Sequence, residues 1–270
     1  MVSEQIWSQT NYLAPIPFIF DSTIIEYDIR KANISVLYNR RAISKEQYDM
    51  FLNMDKMDRE KSIGLMIRRN PDLQAILSEG IRASRKALCE LLGLSNASIL
   101  AIKNDAIYVI YRGYTSSFQD VQINESITFV VKNRYDSFYL LGRNKFYYFY
   151  DPVENKESMD IDGLGDYGIQ VCKPFLDILS EAFYRARTGG CKSGLKYVNE
   201  IYRPYINKEF PLECYRRLDP QARFDLISYF HPSQMRFQSD ILEIKNMAEV
   251  DPYFNRDILR QLSSYYMRKI

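Results

Sequence analysis

The sequence predicts an α+β protein in which an antiparallel sheet with flanking helices is followed by a helical C-terminal region. Three parts of the 270-residue chain carry this prediction. Apolar residues recur at helical spacing over 72–92, β-branched and aromatic residues dominate 98–151, and helical patterns return from about residue 171. Since the chain is long enough for two small domains, we expect a sheet domain over 1–168 and a helical region over 169–270.

The N-terminal part is expected to form short elements that precede the main sheet. Residues 16–29 favour one or two strands, and residues 31–41 favour a short helix. Ser44, with Gln47 three residues later, is a capping-box pattern for a helix that runs to about Met54.

Two longer helices are expected next, one on each side of Asn70-Pro71. Asp58 is expected to cap the first helix, and Asp72 to begin the second. Gly93 is placed to end the second helix. Its apolar stripe consists of Leu73, Ile76, Leu77, Ile81, Leu88 and Leu91, with Ser84 on the same face.

Hairpins and a second group of helices complete the predicted order. Lys103-Asn104-Asp105 joins two apolar runs as a tight hairpin, and Gly142–Asn144 marks another turn. Residues 152–168 are rich in Gly and Asp and predict a connector. The expected C-terminal helices cover 173–187, 192–203, 219–230, 239–247 and 254–268, with a break at Thr188-Gly189-Gly190.

Composition excludes several classes of protein. No apolar run approaches the roughly 18 residues of a membrane-spanning helix, and the N-terminus lacks a secretory pattern. We therefore expect a cytoplasmic protein without a membrane partner. The four cysteines form no Cys-x-x-Cys pair, and the single histidine, His231, precedes Pro232. These features argue against zinc sites and histidine-assisted nucleophiles.

The charge pattern leaves nucleic-acid binding open. A net charge of +2 does not by itself predict it. Basic residues nevertheless gather in 56–86 and 185–217, and acidic residues in 151–166. Each basic group is either a solvated helix face or a surface for phosphate.

Asp28 and Asp105 each lie at the end of a predicted strand. Two carboxylates presented in this way can hold a pair of divalent cations about 3.5–4 Å apart, the arrangement used for in-line phosphoryl transfer. The alternative is that each aspartate only forms a turn, which Asn104-Asp105 at a hairpin tip also fits. Nothing else in the sequence predicts catalytic chemistry.

Three segments carry a resemblance to a known family. Asp28 to Ser35 is an aspartate followed by the opening of a helix, Ala101 to Val109 places Asp105 before Ile-Tyr-Val, and Lys132-Asn133-Arg134-Tyr135 ends a strand. In this order and rough spacing they resemble the first motif, the Tyr-Gly-Asp-Thr-Asp-Ser motif and the Lys-Lys-Arg-Tyr element of the family B DNA polymerase palm. The resemblance covers about residues 20–165. It implies a palm-like sheet, reduced fingers over about 44–93 and a thumb-like C-terminal region.

The chain departs from that family at specific positions. Lys103 stands in place of the first aspartate of the Tyr-Gly-Asp-Thr-Asp-Ser motif, whereas Asp105 retains the metal-ligand position. Asn33 falls where the family has the aromatic residue that excludes ribonucleotides, so a 2′-hydroxyl would not be strongly rejected. The fingers motif, a lysine followed by Asn-Ser-x-Tyr-Gly, is absent.

The resemblance implies roles for individual residues. Asp28 and Asp105 would be the catalytic residues and the ligands of Mg²⁺ or Mn²⁺. The nucleotide-binding candidates are Asn33, Arg59, Lys61 and Arg68, because the guanidinium fork of arginine pairs with phosphate oxygens. The candidates for contact with nucleic acid are Lys132, Arg134 and Tyr135, which could instead be a charged sheet edge.

Two functions from different classes remain open. The first is a metal-dependent nucleotidyltransferase of the template-directed polymerase or primase type, acting on DNA rather than RNA. The second is a catalytically degenerate polymerase-like module that binds nucleic acid or a replication or transcription partner. Retention of both aspartates favours the first, while Lys103 and the missing fingers motif favour the second. The Tyr- and Asn-rich composition suits a phage or mobile element.

Overall fold

The computed structural model describes residues 18–19, 22–111, 118–139, 146–151, 156–161, 172–216, 247–250 and 252–270. These residues form six α-helices and nine strands, which confirms the α+β class, the antiparallel sheets and the helical C-terminal region. The chain divides into two compact units. The first consists mainly of Asp21–Ser137, and the second of Pro17–Phe20, Phe138–Phe149 and Glu157–Ile270.

The elements are numbered in chain order. The strands are β1 (Phe18–Ile19), β2 (Thr23–Ile29), β3 (Ile99–Lys103), β4 (Ala106–Tyr111), β5 (Val121–Gln122), β6 (Thr128–Tyr135), β7 (Phe138–Tyr139), β8 (Phe146–Asp151) and β9 (Lys156–Ile161). The helices are α1 (Ala32–Asn39), α2 (Lys45–Leu52), α3 (Lys56–Arg69), α4 (Asp72–Leu91), α5 (Lys173–Ile206) and α6 (Tyr253–Met267).

The main sheet of the first unit has five antiparallel strands in the order β3-β4-β2-β6-β5. The sequence placed one sheet within 98–151, which is wrong in two respects. The central strand, β2, comes from the N-terminal segment, and β7 and β8 pair elsewhere, with β1 and β9. Strand β2 suits the centre because Ile24 and Ile25, on its two faces, are both fully buried. The expected connector over 152–168 also contains strand β9.

Strand pairing sorts the side chains of the main sheet onto two faces. Glu26 is paired with Tyr108 and with Asn133, so these three side chains share one face, here called the polar face. Tyr27 and its neighbours Ile25 and Ile29 point to the other face. These side chains belong to the hydrophobic core between the sheet and the helices. We call this second face of the sheet the helix face.

The helices of the first unit begin and end largely as the sequence predicts. Ser44 and Gln47 form the predicted capping box of α2. Helix α3 is capped by Asp55, which accepts from the backbone N–H groups of Met57 and Asp58, so the assignment of the cap to Asp58 is wrong by three residues. Asp58 instead lies in the first helical turn, where a negative charge interacts favourably with the helix dipole. Gly93 has a φ of 62°, as a helix C-terminus requires.

The second unit is built around α5 and α6. The two predicted helices over 173–187 and 192–203 form one continuous element, but its backbone is non-helical at Gly190, within the predicted break. The helix passes Pro204 and ends at Ile206, beyond the predicted end at 203. Helix α6 matches the predicted helix over 254–268 closely. Its Tyr266 hydroxyl donates to the carbonyl oxygen of Ala182 at 3.0 Å.

Three predicted elements lie outside the described residues: the turn at Gly142–Asn144 and the helices over 219–230 and most of 239–247. None of the helices in the described ranges is both long and apolar enough to cross a membrane.

Candidate functional site

Asp28 and Asp105 come together on the polar face of the main sheet. Strand β2 is paired with β4, and Tyr27 lies opposite Ile107, so the end of β2 reaches the start of β4. Asn104 and Asp105 form the two-residue turn between β3 and β4, with Asn104 in the left-handed region at a φ of 52°. The hairpin tip thereby presents Asp105 to Asp28, within hydrogen-bonding range of its carboxyl group.

The environment of Asp105 disfavours its ionised form. Burial, a hydrogen bond with Asp28 and the charge of Asp28 together raise the pKa of Asp105 to about 7, although the charge of Lys132 acts in the opposite direction. Two adjacent carboxylates of this kind retain a proton or require a cation between them. Sequence reasoning predicted this juxtaposition from the two strand ends.

Lys132 neutralises much of the charge at Asp28. Its Nζ lies 2.9 Å from Asp28 Oδ2 and 3.4 Å from Glu26 Oε1. Burial lowers the pKa of Lys132, but the hydrogen bond and charge of Asp28 and the charge of Glu26 outweigh that effect and raise it. The ammonium group is therefore charged at neutral pH. The other oxygen of Asp28, Oδ1, is buried and has no hydrogen-bond partner within the part of the chain that the structure describes.

A β-bulge in β6 gives Lys132 its position. The pairing of β2 with β6 shifts by one residue between Glu26 and Tyr27, because Lys132 is an extra residue in β6. Without the bulge, Lys132 and Asn133 would point to opposite faces, whereas here both reach the carboxylates. The bulge thus places an ammonium group over two acidic side chains that lie two residues apart on β2.

Sequence reasoning missed Glu26, which is 4% exposed and belongs to this cluster. Its Oε2 accepts hydrogen bonds from Asn133 Nδ2 at 2.7 Å and from the Tyr135 hydroxyl at 2.8 Å. The signal in the sequence is the alternation Glu26-Tyr27-Asp28 within an apolar strand, which puts both carboxylates on one face.

Arg85 is a second residue that sequence reasoning missed. This α4 side chain is 3% exposed, and its Nη1 donates to the carbonyl oxygen of Asn104 at 2.7 Å. Burial and the neighbouring Arg82 lower the pKa of Arg85 to about 10, while the charge of Asp105 opposes this. Arg85 therefore holds the turn that carries Asp105.

The three residues predicted to contact nucleic acid, Lys132, Arg134 and Tyr135, are divided between the two faces of the sheet. Lys132 and Tyr135 share the polar face with Glu26, and the pairing of Lys103 with Ala106 puts Lys103 on that face as well. Arg134 is paired with Ile25 and therefore lies on the helix face, where its guanidinium group stacks 4.9 Å from the centre of the Phe118 ring.

The nucleotide-binding candidates form two groups. Asn33 Nδ2 donates to Glu60 Oε2 at 2.6 Å, and Arg59 Nε lies 3.8 Å from Glu60 Oε1. Arg59 is 7% exposed, so its guanidinium group is largely engaged within the protein. Lys61 and Arg68 are exposed on α3.

The oxygen donors around Asp28 fit a hard divalent cation. Mg²⁺ is often bound by only one or two carboxylates, with water and substrate phosphates as its other ligands. Asp28 and Asp105 can supply that number, and the unpartnered Asp28 Oδ1 needs a counter-charge or donor. The described residues contain no group of three or more His, Cys, Asp or Glu side chains arranged to hold a metal.

Comparison with known proteins supplies a family for this chain. No curated protein matches it. A family model described as "Bacteriophage PBS1 gene 130 protein" matches residues 1–179, which include the main sheet and both aspartates. This match supports the phage source that the composition suggested, while the likeness to a polymerase palm stays a prediction. The chain belongs to the bacteriophage PBS1 gene 130 protein family.

Proposed function

We propose that this protein is a metal-dependent nucleotidyltransferase of the polymerase or primase type, which acts on nucleic acid through Asp28 and Asp105. The observation that supports the proposal is that the hairpin tip brings these two carboxyl groups together and raises the pKa of Asp105, beside a buried Asp28 oxygen that no N–H or hydroxyl group of the described residues reaches. Two ionised carboxylates in contact repel each other, and a divalent cation would remove that repulsion. A bound Mg²⁺ or Mn²⁺ would supply charge stabilisation at a phosphoryl group.

The chain's own residues would organise this site. Arg85 holds the hairpin tip, so Asp105 stays opposite Asp28. Lys132 lies close enough to the carboxylates to contact an anionic group that approaches them. The exposed Lys61 and Arg68 are further candidates for a triphosphate, because they lie on α3, the helix that also carries Glu60, the partner of Asn33.

Metal binding is the first test of this proposal. Titration of the full chain with Mn²⁺, followed by the electron paramagnetic resonance of free Mn²⁺, should detect a site in the wild type. Asp28→Asn and Asp105→Asn should each weaken binding about tenfold or more, because even outer-shell changes cost about that much. Asp49→Asn, at an exposed carboxylate that pairs with Lys45 on α2, is the matched control and should change nothing. Equal Mn²⁺ affinity in all four proteins would contradict the proposal.

Primer extension is the second test. The wild type should incorporate nucleotides in Mg²⁺ or Mn²⁺, and Asp28→Ala and Asp105→Ala should abolish incorporation. Ribonucleotides should be tolerated because Asn33 is small, and Asn33→Phe should select against them. Sharp rejection of ribonucleotides by the wild type would contradict the assignment of Asn33 as the residue beside the sugar.

A specific observation favours the second candidate, a catalytically degenerate module that binds nucleic acid. The ammonium group of Lys132 lies within 3.4 Å of both Glu26 and Asp28, where it competes with a metal for the same oxygens. In this case the protein should bind nucleic acid with EDTA present and incorporate nothing. The slope of log K against log salt should approach −0.9 for each duplex phosphate that is neutralised.

Paired variants identify the face that nucleic acid contacts. Lys132→Gln tests the polar face and Arg134→Gln the helix face, since strand pairing separates these two side chains. A strand bound along the polar face should lose affinity and salt dependence in Lys132→Gln and retain both in Arg134→Gln. If instead only Arg134→Gln lost affinity, nucleic acid would bind on the helix face. Gel shifts at low salt should be run with single strands, duplex and primer-template. If none of these ligands bound, nucleic acid would not be the partner.

A further inference from the structure

A cleft with a volume of about 520 Å³ opens in the first unit on the helix face of the main sheet. The carboxylates Glu26 and Asp28 point to the other face, so the cleft is separate from the site described above. Its volume falls within the roughly 300–1,000 Å³ of small-molecule sites. Its lining includes Tyr27, Leu91, Tyr111, Phe118, Gln119 and Asp120.

Aromatic rings form much of the cleft. The Phe118 and Tyr111 ring centres are 4.7 Å apart, with a tilt of 52° between the rings. The guanidinium group of Arg134, a residue of β6, lies 4.9 Å from the centre of the Phe118 ring and packs against it. Leu91, at the end of α4, is 62% exposed beside these rings. A flat aromatic ligand would cover this apolar side chain and stack against the rings.

The polar groups of the cleft suit the edge of a heterocycle. The hydroxyl oxygens of Tyr27 and Tyr111 are 3.2 Å apart, so one donates to the other and the remaining hydroxyl proton can serve a ligand. Burial raises the pKa of both tyrosines, which keeps both hydroxyls protonated at neutral pH. The exposed residue Gln119 also lines the cleft.

The charges at the cleft leave room for an anionic tail on the ligand. Asp120 is the one carboxylate among the lining residues, and both of its oxygens are engaged. Arg30 Nη2 donates to Oδ2 at 2.8 Å, and the Val131 backbone N–H donates to Oδ1 at 3.0 Å. Arg30 is 60% exposed and Arg134 stacks on Phe118, so two guanidinium groups and one carboxylate leave a net positive charge beside the cleft.

We propose that this cleft binds a nucleobase, either of a free nucleotide or of an unpaired nucleotide in a single strand. The rings and Leu91 provide a stacking surface, the free tyrosine hydroxyl proton serves the base edge, and the exposed Arg30, paired with Asp120 of the lining, receives the phosphate. This inference does not depend on catalysis at Asp28 and Asp105.

Saturation-transfer NMR on the full chain tests the proposal with AMP, GMP, CMP, UMP and a short single-stranded oligonucleotide. Ribose 5-phosphate and N-acetyl-tyrosinamide are the probes without a base. Base protons should receive more saturation than ribose protons, and ribose 5-phosphate should show no binding. Comparing Kd values for mononucleotides and the oligonucleotide identifies the natural source of the base.

Two cleft variants and one control complete the experiment. Phe118→Leu should raise Kd by about 5- to 150-fold, the range set by base–aromatic stacking. Tyr111→Phe, which retains the ring, should raise Kd about fivefold through loss of one hydroxyl. Tyr184→Leu, at an aromatic side chain 51% exposed in the second unit, should leave Kd unchanged. No base saturation at millimolar ligand, equal binding of either base-free probe, or unchanged Kd in folded Phe118→Leu and Tyr111→Phe would overturn the proposal.

Discussion

At the scale of single residues, the polar face of the main sheet concentrates three carboxylates around one ammonium group. Glu26 is satisfied by Asn133 and Tyr135, and Asp28 by Lys132 on one oxygen. For Asp105, a backbone hydrogen bond and the charge of Lys132 compensate only in part, and burial beside Asp28 raises its pKa. The cluster is therefore stable in the protonated or cation-bound form and strained when it is fully ionised.

The raised pKa of Asp105 predicts a loss of stability as pH rises. The folded protein holds the Asp105 proton up to about pH 7, whereas the unfolded chain releases it near the ordinary value of 3.8. The contribution is thus full below about pH 4 and is lost as pH rises through about 7. A shift of this size corresponds to about 4 kcal/mol at most, and partial exposure reduces it to about 2 kcal/mol.

Denaturant unfolding in EDTA at about pH 5 and pH 8 measures this effect through the linkage between protons and folding. Asp105→Asn should remove the decline and be more stable than the wild type at the higher pH. Glu125→Gln, at an exposed carboxylate in the turn before β6, is the control and should retain the decline. A wild type whose stability rises over the same range would contradict the assignment.

Lys132→Met should have opposite effects on stability and on metal binding. Without the ammonium group, Glu26 and Asp28 lose a charged partner, so the free energy of unfolding in EDTA should fall by about 1–3 kcal/mol. Mn²⁺ affinity should rise because the competing cation is gone. Thermal unfolding with EDTA and with Mn²⁺ measures both effects. If Mn²⁺ failed to recover the lost stability, the carboxylates would not be a cation site.

At the scale of elements, close packing of α1 on α4 fixes the helix face of the sheet. Gly80 on α4 faces Val36 on α1, and a methyl group added at Gly80 would lie 2.3 Å from Val36 Cγ1. Val36 is fully buried and has no room to withdraw. The element that carries Arg85, and through it Asp105, is thus held by a contact that only glycine permits.

Gly80→Ala should therefore destabilise the first unit despite its better helix propensity. Overpacking costs about 1–3 kcal/mol, which exceeds the roughly 1 kcal/mol gained by replacing glycine in a helix. Gly64→Ala in α3 is the matched control, because no atom lies within 4 Å of its added methyl group. It should stabilise by about 0.5–1 kcal/mol. Chemical denaturation of both variants gives the comparison, and a stabilised Gly80→Ala would show that α1 can shift.

At the scale of the whole molecule, each of the two units contains buried apolar side chains of its own. The core of the second unit includes the meeting of α5 with α6 at Gly194, where an added methyl group would lie 2.8 Å from Ala186 Cβ and 2.9 Å from Tyr266 Cε2. The aromatic stack of Tyr139 on Phe183, with ring centres 4.2 Å apart, lies in the same unit. Each unit can therefore be perturbed through a glycine of its own.

Gly194→Ala should lower stability by about 1–3 kcal/mol through overpacking of α5 against α6. Hydrogen–deuterium exchange should show the loss of protection in the second unit, whereas Gly80→Ala should show it in the first. Asn199→Ala, at an exposed position of α5, is the control and should leave protection unchanged. Equal loss of protection in both units from either variant would mean that the molecule unfolds as one cooperative body.

The sequence by itself determined the elements that depend on local chemistry. The capping box at Ser44, the stop at Gly93, the break near Gly190 and the hairpin at Asn104-Asp105 follow from nearby side chains and backbone preferences. The meeting of Asp28 with Asp105 was also predicted, because the sequence places both aspartates at or next to the ends of strands. The α+β class followed from periodicity, which local spacing encodes.

Only the tertiary structure decided which distant residues share a face. The central position of β2 arises from pairing with β4 and β6, and the bulge at Lys132 appears only when β6 is aligned against β2. That alignment brings Glu26 into the cluster and sends Arg134 to the opposite face. Arg85 reaches the hairpin tip through helix packing. These contacts join residues far apart in the chain, and their energies depend on burial and pairing that no short segment specifies.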